Sequence, residues 1–402
     1  MELLTNEIRP YAWGSRTAIA AIQGRQVPSA GPEAELWMGA HPAAPSRLTS
    51  SGQPLNEAIA ADPEGMLGAK TVGEFAARLP FLLKLLAADQ PLSLQVHPTA
   101  DTARRGFEAE EAAGIPVDAP ERNYRDPHHK PELLVAVSDF EGLCGYRAPE
   151  ETGVLLSKLQ LPSLERIIGV IARDVGGSGI TLATVTRALL AAPAERRAIL
   201  AEEVSAAAAR RVDTVPEPAA TAYRLVTELS KYYPGDVGVL SPLLLNPVRL
   251  SPGEAIYIPP GTPHAYLRGV GIEIMAASDN VLRGGMTSKH VDASELLRVV
   301  DYSIYEEPVL QPTPVAPGVV EWPTPVREFR LRRFRVGGLY PTISLPTDGP
   351  QIVFCLSGRV RADDGAGEVL LGPGEAAFGA ARDDGQLTLT GFGEVYQATT
   401  AV

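Results

Sequence analysis

The chain has 402 residues, 45% hydrophobic and 21% charged, which excludes disorder as the dominant state and suggests two or three domains. A formal net charge of -12 argues against nucleic acid as the main partner, so an anionic ligand needs a local basic cluster working against the overall field. The two cysteines, Cys144 and Cys355, do not build a disulfide framework and fit a reducing, cytoplasmic setting.

Residues 1–7 lack the basic-then-apolar order of an export signal. The longest apolar run, 79–88, carries Lys84 and falls well short of the roughly 20 residues that cross a bilayer, so no membrane partner is expected. From 1 to 147 short apolar runs alternate with turn signals such as Trp13-Gly14-Ser15 and His41-Pro42. Segments 92–97 and 132–137 read as strands, whereas 71–88 is compatible with helix or strand. From 148 to 234 strong helix formers recur near a 3.6-residue period, as in Ala194–Arg211 and Ala219–Tyr232, predicting a small helical packing domain. Strand patterns resume at about 235 and run to the C-terminus. There Pro252-Gly253-Glu254-Ala255-Ile256-Tyr257 is echoed by Pro373-Gly374-Glu375-Ala376-Ala377-Phe378, which suggests two related β-modules. All six histidines fall at or before His290, so imidazole chemistry belongs to the first module. The expected fold is mainly β with an α-helical insert.

Three segments carry chemistry. In Ser93-Leu94-Gln95-Val96-His97-Pro98, strand alternation puts Ser93, Gln95 and His97 on one face, opposite Leu94 and Val96. A metal explains such a face when it is buried; a solvated strand face is the plain alternative. In Asp126-Pro127-His128-His129-Lys130-Pro131-Glu132, a carboxylate opens an otherwise apolar strand, and buried carboxylates are paired or metal-bound. Lys130 is either its ion-pair partner or a substrate-binding cation. In Gly253-Glu254-Ala255-Ile256-Tyr257-Ile258-Pro259-Pro260-Gly261-Thr262-Pro263-His264, a glycine turn enters a strand and His264 starts the next. That pattern resembles the second signature of the cupin superfamily, with Arg268 where an Asn is usual.

Gln95, His97, Glu132 and His264 together form an N/O shell suited to Zn²⁺, and the residues alone leave iron open. Downstream, Tyr266 to Glu273 reads as a hairpin turning at Gly269 and Gly271, which returns Glu273 toward the metal. The following segment, 278–290, packs Asp279, Arg283 and Lys289 around two glycines. Arg283 and Lys289 suit a phosphate, or else make surface ion pairs.

The motifs Ile8-Arg9-Pro10-Tyr11-Ala12-Trp13-Gly14-Ser15, Glu35-Leu36-Trp37-Met38-Gly39-Ala40-His41-Pro42, Leu79-Pro80-Phe81-Leu82-Leu83-Lys84, Pro91 to Pro98, His129 to Glu132, Pro259 to Tyr266 and Ser278 to Arg283 resemble the type I phosphomannose isomerase family. The resemblance implies zinc-dependent, reversible interconversion of mannose 6-phosphate and fructose 6-phosphate. It implies zinc on Gln95, His97, Glu132 and His264, a catalytic Arg283, and a pocket lined by Trp13, Ser93, Lys130, Tyr266, Glu273, Asp279 and Lys289. The expected architecture is two cupin-type (jelly-roll) barrels, a catalytic one from 1–147 with 235–310 and a degenerate one from 311–402, with the helical insert 148–234 closing over the first. Such a reaction moves a proton between C1 and C2 through a cis-enediol, and Glu273, Lys130 and a water on the metal are candidate bases. Asp279 is a candidate for assisting ring opening. Two other readings fit the residues: an iron-dependent cupin oxygenase, which leaves Arg283, Lys289 and Lys130 without a role, and a non-catalytic sugar-phosphate-binding bicupin. The oligomeric state is left open, with a monomer favoured.

Overall fold

The computed structural model describes residues 1–173, 179–306 and 308–402. Two sheets dominate it. The first has eleven strands, and its main path runs Val309–Leu310, Ala255–Ile258, Glu132–Ala136, His264–Ala276, Phe81–Ala88, Glu35–Gly39 and Glu7–Arg9. The second has ten, drawn mostly from residues after 312, and it takes in the first strand, Glu2–Thr5, which pairs with Ala376–Gly379.

The sheets stack face to face because their central strands each turn an apolar face to the other sheet. Every residue of Phe81–Ala88 is buried. Its Leu83 and Leu85 join Leu133, Val135, Ile272 and Ile274 against Ile352, Phe354, Tyr396 and Ala398 of the second sheet in one core. Strand alternation then sends Lys84, Glu132 and Glu273 to the opposite face. The ambiguous stretch 71–88 resolves into two pieces, a short helix Ala69–Phe75 and the strand Phe81–Ala88, because Pro80 separates them.

Helices Pro149–Leu159, Glu165–Ile171, Gly179–Leu190, Ala194–Arg211 and Ala219–Tyr232 lie together. In the last, Ala222, Leu225, Val226 and Leu229 recur at helical spacing and are buried. Their shared core reaches Val96, Leu143, Ala265 and Leu282 of the first sheet, and the Tyr233 hydroxyl donates to the Pro91 carbonyl at 2.7 Å. The helices thus brace the end of the sheet that carries Gln95 and His264.

The hairpin expected at 266–273 is not formed. Residues His264–Ala276 make one continuous strand. Gly269 has φ 129, and a Cβ there would lie 2.7 Å from the Asp139 carbonyl and the Phe140 ring, so glycine here permits a close strand approach instead of a reversal. The strand changes partners at this point. Its first part pairs with Phe140–Tyr146, its second with Phe81–Ala88 and Glu132–Ala136, and Leu267 is an extra residue between the Tyr266 and Arg268 pairings. Such a bulge reverses the alternation. Even-numbered His264 and Tyr266 and odd-numbered Glu273 and Met275 therefore line the same cleft. Arg268 points outward and pairs with Glu141 at 2.8 Å.

The repeated Pro-Gly-Glu-Ala segment is the same turn twice. Gly253 and Gly374 have φ of 97 and 80. The Gly253 and Gly374 amides donate to Ala136 and Cys355, and the carbonyls of Glu254 and Glu375 accept from those same residues. Each glutamate side chain also accepts a backbone N–H three residues back, from Ser251 at 2.9 Å and Gly372 at 2.7 Å.

Candidate active site

His97, Glu132 and His264 converge, with one potential ligand atom from each lying within 4.8 Å of the others, and all three are buried. Glu132 opens a central strand, His264 opens the strand that crosses it, and His97 follows the short strand Leu94–Val96. That last strand is shorter than the 92–97 expected, but Gln95 still sits directly opposite His264. Gln95 and Ser93 line the same cleft of about 650 Å³.

The electrostatics of the three fit a divalent cation. The Nδ1 of His97 lies 2.8 Å from the Asn280 carbonyl and that of His264 lies 3.0 Å from the Thr262 carbonyl. Carbonyls only accept, so each ring carries its proton on Nδ1 and presents a bare Nε2. Those Nε2 atoms stand 3.1 and 3.4 Å from the Glu132 carboxylate, lone pairs facing an anion, and His97 Nε2 has no hydrogen-bond partner. Protonation does not relieve this for His97. Burial pushes its pKa down to about 4, against the pull of Glu132. Burial works to raise the Glu132 carboxyl, but His97, His264 and Lys130 hold it well below the ordinary range. Three buried carboxylates, Glu35, Glu132 and Glu273, face two buried ammonium groups, Lys84 and Lys130, so a cation completes the balance. Two imidazoles, a carboxylate and the Gln95 amide suit Zn²⁺.

Around this shell, Lys130 Nζ lies 3.6 Å from Glu132 and the Tyr266 hydroxyl lies 3.5 Å from it. Glu273 lies on the other side, 3.1 Å from Lys84 Nζ, which also reaches Glu35 at 3.4 Å. Burial raises the Glu273 carboxyl against the lowering effect of Lys84. Burial lowers Lys84, but Glu273 and Glu35 outweigh it and raise the ammonium above its ordinary value. Asp279 accepts from His41 at 3.2 Å, which holds its carboxyl below the usual value although burial opposes this. Trp13 lines the mouth, stacked on Tyr11 at 5.8 Å.

Arg283, on the short strand Leu282–Gly285, lines the same cleft with Lys289. Among the described residues neither has a carboxylate within ion-pair distance. Burial, and then the nearby charge of Arg125, lowers Arg283; burial, Arg283 and Arg125 lower Lys289. Three cations gathered in one cleft make an anion site. Arg125 was not among the residues singled out from sequence, and neither were Lys84 and Glu35 as site members. Lys84 carried a signal, a lone charge inside an apolar strand. Arg125 carried none, since it lies in an irregular loop.

The sheet fold with a buried imidazole–carboxylate shell beneath a basic cleft defines a metal-centre protein built for a small anionic ligand. Residues 1–149 match the model of the phosphomannose isomerase type I catalytic domain. The Escherichia coli mannose-6-phosphate isomerase is 37% identical, with 98% of each chain covered, and the Rattus norvegicus enzyme is 31% identical, covering 95% of this chain and 94% of its own. Among solved structures, a Salmonella typhimurium mannose 6-phosphate isomerase bound to fructose 6-phosphate and zinc superposes with a TM-score of 0.88 at 36% identity, covering both chains completely. The chain belongs to the type I phosphomannose isomerase family.

Proposed function

We propose that the chain catalyses the reversible isomerisation of D-mannose 6-phosphate and D-fructose 6-phosphate through a cis-enediol, with one Zn²⁺ on Gln95, His97, Glu132 and His264. One observation carries the reading. A buried N/O donor shell and three cations that have no carboxylate partner among the described residues, Arg125, Arg283 and Lys289, share a single cleft. That pairs a site for sugar oxygens with a site for a phosphate dianion. An oxygenase has no use for the second site.

When bound, the ion supplies Lewis acidity toward the sugar oxygens that gain charge. Arg283 and Lys289 hold the phosphate, helped by Ser93 and Arg125, and so fix where C1 and C2 lie. Glu273 carries the proton between those carbons. Burial raises its carboxyl and makes it a stronger base, against the lowering effect of Lys84 beside it. Lys130 donates to the oxygen on which charge develops. Asp279, oriented by His41, takes the anomeric hydroxyl proton and returns it to the ring oxygen as the ring C–O bond breaks, and Trp13 and Tyr266 wall the cleft.

We read the two sheets as cupin-type jelly-roll modules, 1–147 with 235–310 and 311–402, with 148–234 as a helical domain. The molecule works as a monomer in the cytoplasm on a small sugar phosphate. A coupled assay for fructose 6-phosphate formed from mannose 6-phosphate, with and without a chelator, tests the reading. Turnover that the chelator abolishes and Zn²⁺ restores is expected, and sugar phosphate bound without turnover would overturn it. Arg283→Ala is expected to raise KM or lower kcat while zinc stays bound.

A further inference from the structure

Asn280 is fully buried, yet its side chain touches neither the metal shell nor the cleft. Its polar atoms are all engaged. The main-chain carbonyl accepts from His97 Nδ1 at 2.8 Å. The side-chain oxygen accepts the backbone N–H groups of Arg125 at 2.7 Å and Asp126 at 3.3 Å. The side-chain nitrogen donates to the carbonyls of Asp126 at 2.7 Å and His128 at 2.8 Å. Asp126 in turn accepts from the Ser278 hydroxyl at 2.8 Å and the Asp279 amide at 2.7 Å. The Asn280 amide thus makes four bonds to the backbone of residues 125–128, with Ser278 and the Asp279 amide adding others at Asp126 and His128. Residues 125–128 have no strand or helix of their own, and they lead directly into Lys130 and Glu132.

We infer that Asn280 is the positioning residue for the phosphate end of the cleft: its side-chain amide fixes the backbone of Arg125, so that this guanidinium joins Arg283 and Lys289 as a third phosphate contact. The inference rests on the sugar-phosphate reading and deepens it. Loops without regular structure spread a long side chain over many positions, and an arginine contributes to anion binding only when its backbone is held. The side chain and the main chain of Asn280 have separable duties. Substituting the side chain leaves the carbonyl that orients His97, so the metal stays while the loop is released.

The test uses Asn280→Ala, Arg125→Ala and the double variant in the full chain, with metal analysis, steady-state kinetics and calorimetric titration of inorganic phosphate. Asn280→Ala should retain zinc and kcat within about threefold, while KM and the phosphate Kd rise roughly tenfold. Arg125→Ala should retain zinc and raise the phosphate Kd by the same factor, and the double variant should bind phosphate no worse than either alone, because both remove one contact. Should Asn280→Ala be insoluble, Asn280→Asp decides by the same titration. It keeps the acceptor for the Arg125 amide but loses both donors, and an intermediate rise in Kd is expected. Phosphate affinity within twofold of the unmodified protein, losses that multiply in the double variant, or zinc lost with phosphate binding intact would each overturn the inference. Phosphate titration needs no turnover, so a chain without isomerase activity would sink the functional reading and leave this test standing.

Discussion

Glu132 and Gln351 hold the same place in two versions of one arrangement. Counted from the shared Pro-Gly-Glu-Ala turn, Glu132 pairs with Ile258 and Met275, and Gln351 pairs with Gly379 and Thr399. On the crossing strands, Glu273 opposes Leu134 where Gln397 opposes Val353. The same register positions meet across the shared core, yet the faces turned away from that core differ. In the first sheet that face is a cleft with ionisable walls. In the second, Phe334, Val353, Leu387, Leu389 and Val395 fill it, and Gln397 Nε2 donates to Gln351 Oε1 at 2.8 Å. Two buried amides share one hydrogen bond and stay neutral. Two buried carboxylates need cations, and the first sheet supplies Lys84 and Lys130 and shapes a place for a metal. The difference between a working centre and a filler module thus reduces to a few charge states on a common frame.

The largest test erases that difference in the active sheet. Glu132→Gln should lower zinc affinity and turnover at least about 100-fold, while the metal-free variant melts no lower than the metal-free parent, since an uncompensated anion is gone. Metal analysis and paired melting curves read both outcomes. Glu273→Gln should lower kcat by about 10²–10⁴-fold with zinc still bound; a normal kcat would move proton transfer to another group. The reverse exchange, Gln351→Glu, buries an anion where the native side-chain partner is the neutral Gln397 amide. It should cost about 3–5 kcal/mol in denaturant unfolding and leave kcat per folded molecule unchanged.

The smallest effect concerns the turn that both sheets share. Glu254→Ala should cost about 1 kcal/mol, the worth of its bond to the Ser251 amide. That bond, and then Gln311, hold the Glu254 carboxyl below its ordinary 4.5. The native state therefore binds fewer protons there than the unfolded chain. The contribution is complete above that value and is lost as the pH falls through the lower native one. The gap in melting temperature between parent and variant should be full at neutral pH and close on acidification.

How much of this could be read in advance depended on whether the signal was local. The alternation of Ser93, Gln95 and His97 is local, and Ser93 and Gln95 line the cleft while His97 stands behind it in the donor shell. The helices Ala194–Arg211 and Ala219–Tyr232 have the bounds their periodicity gave. The glycines at 269 and 271 misled because a close crossing and a reversal make the same demand on a residue, and only the partner strands distinguish them. The kinship of Glu273 with Gln397 is a matter of pairing register, with no shared motif around the two residues. Arg125 is held by an amide far along the chain, and no pattern in its own neighbourhood announces it.

The extra residue at Leu267 also constrains how such a chain tolerates change. It sets the phase between one half of a catalytic strand and the other, so insertions or deletions between Tyr266 and Glu273 are not equivalent. A change of odd length would rotate Glu273 out of the cleft and into the hydrophobic seam while leaving His264 in the donor shell. A change of even length would preserve the phase. Length polymorphism in that short interval is therefore a sharper reporter of lost activity than most substitutions on the surrounding walls.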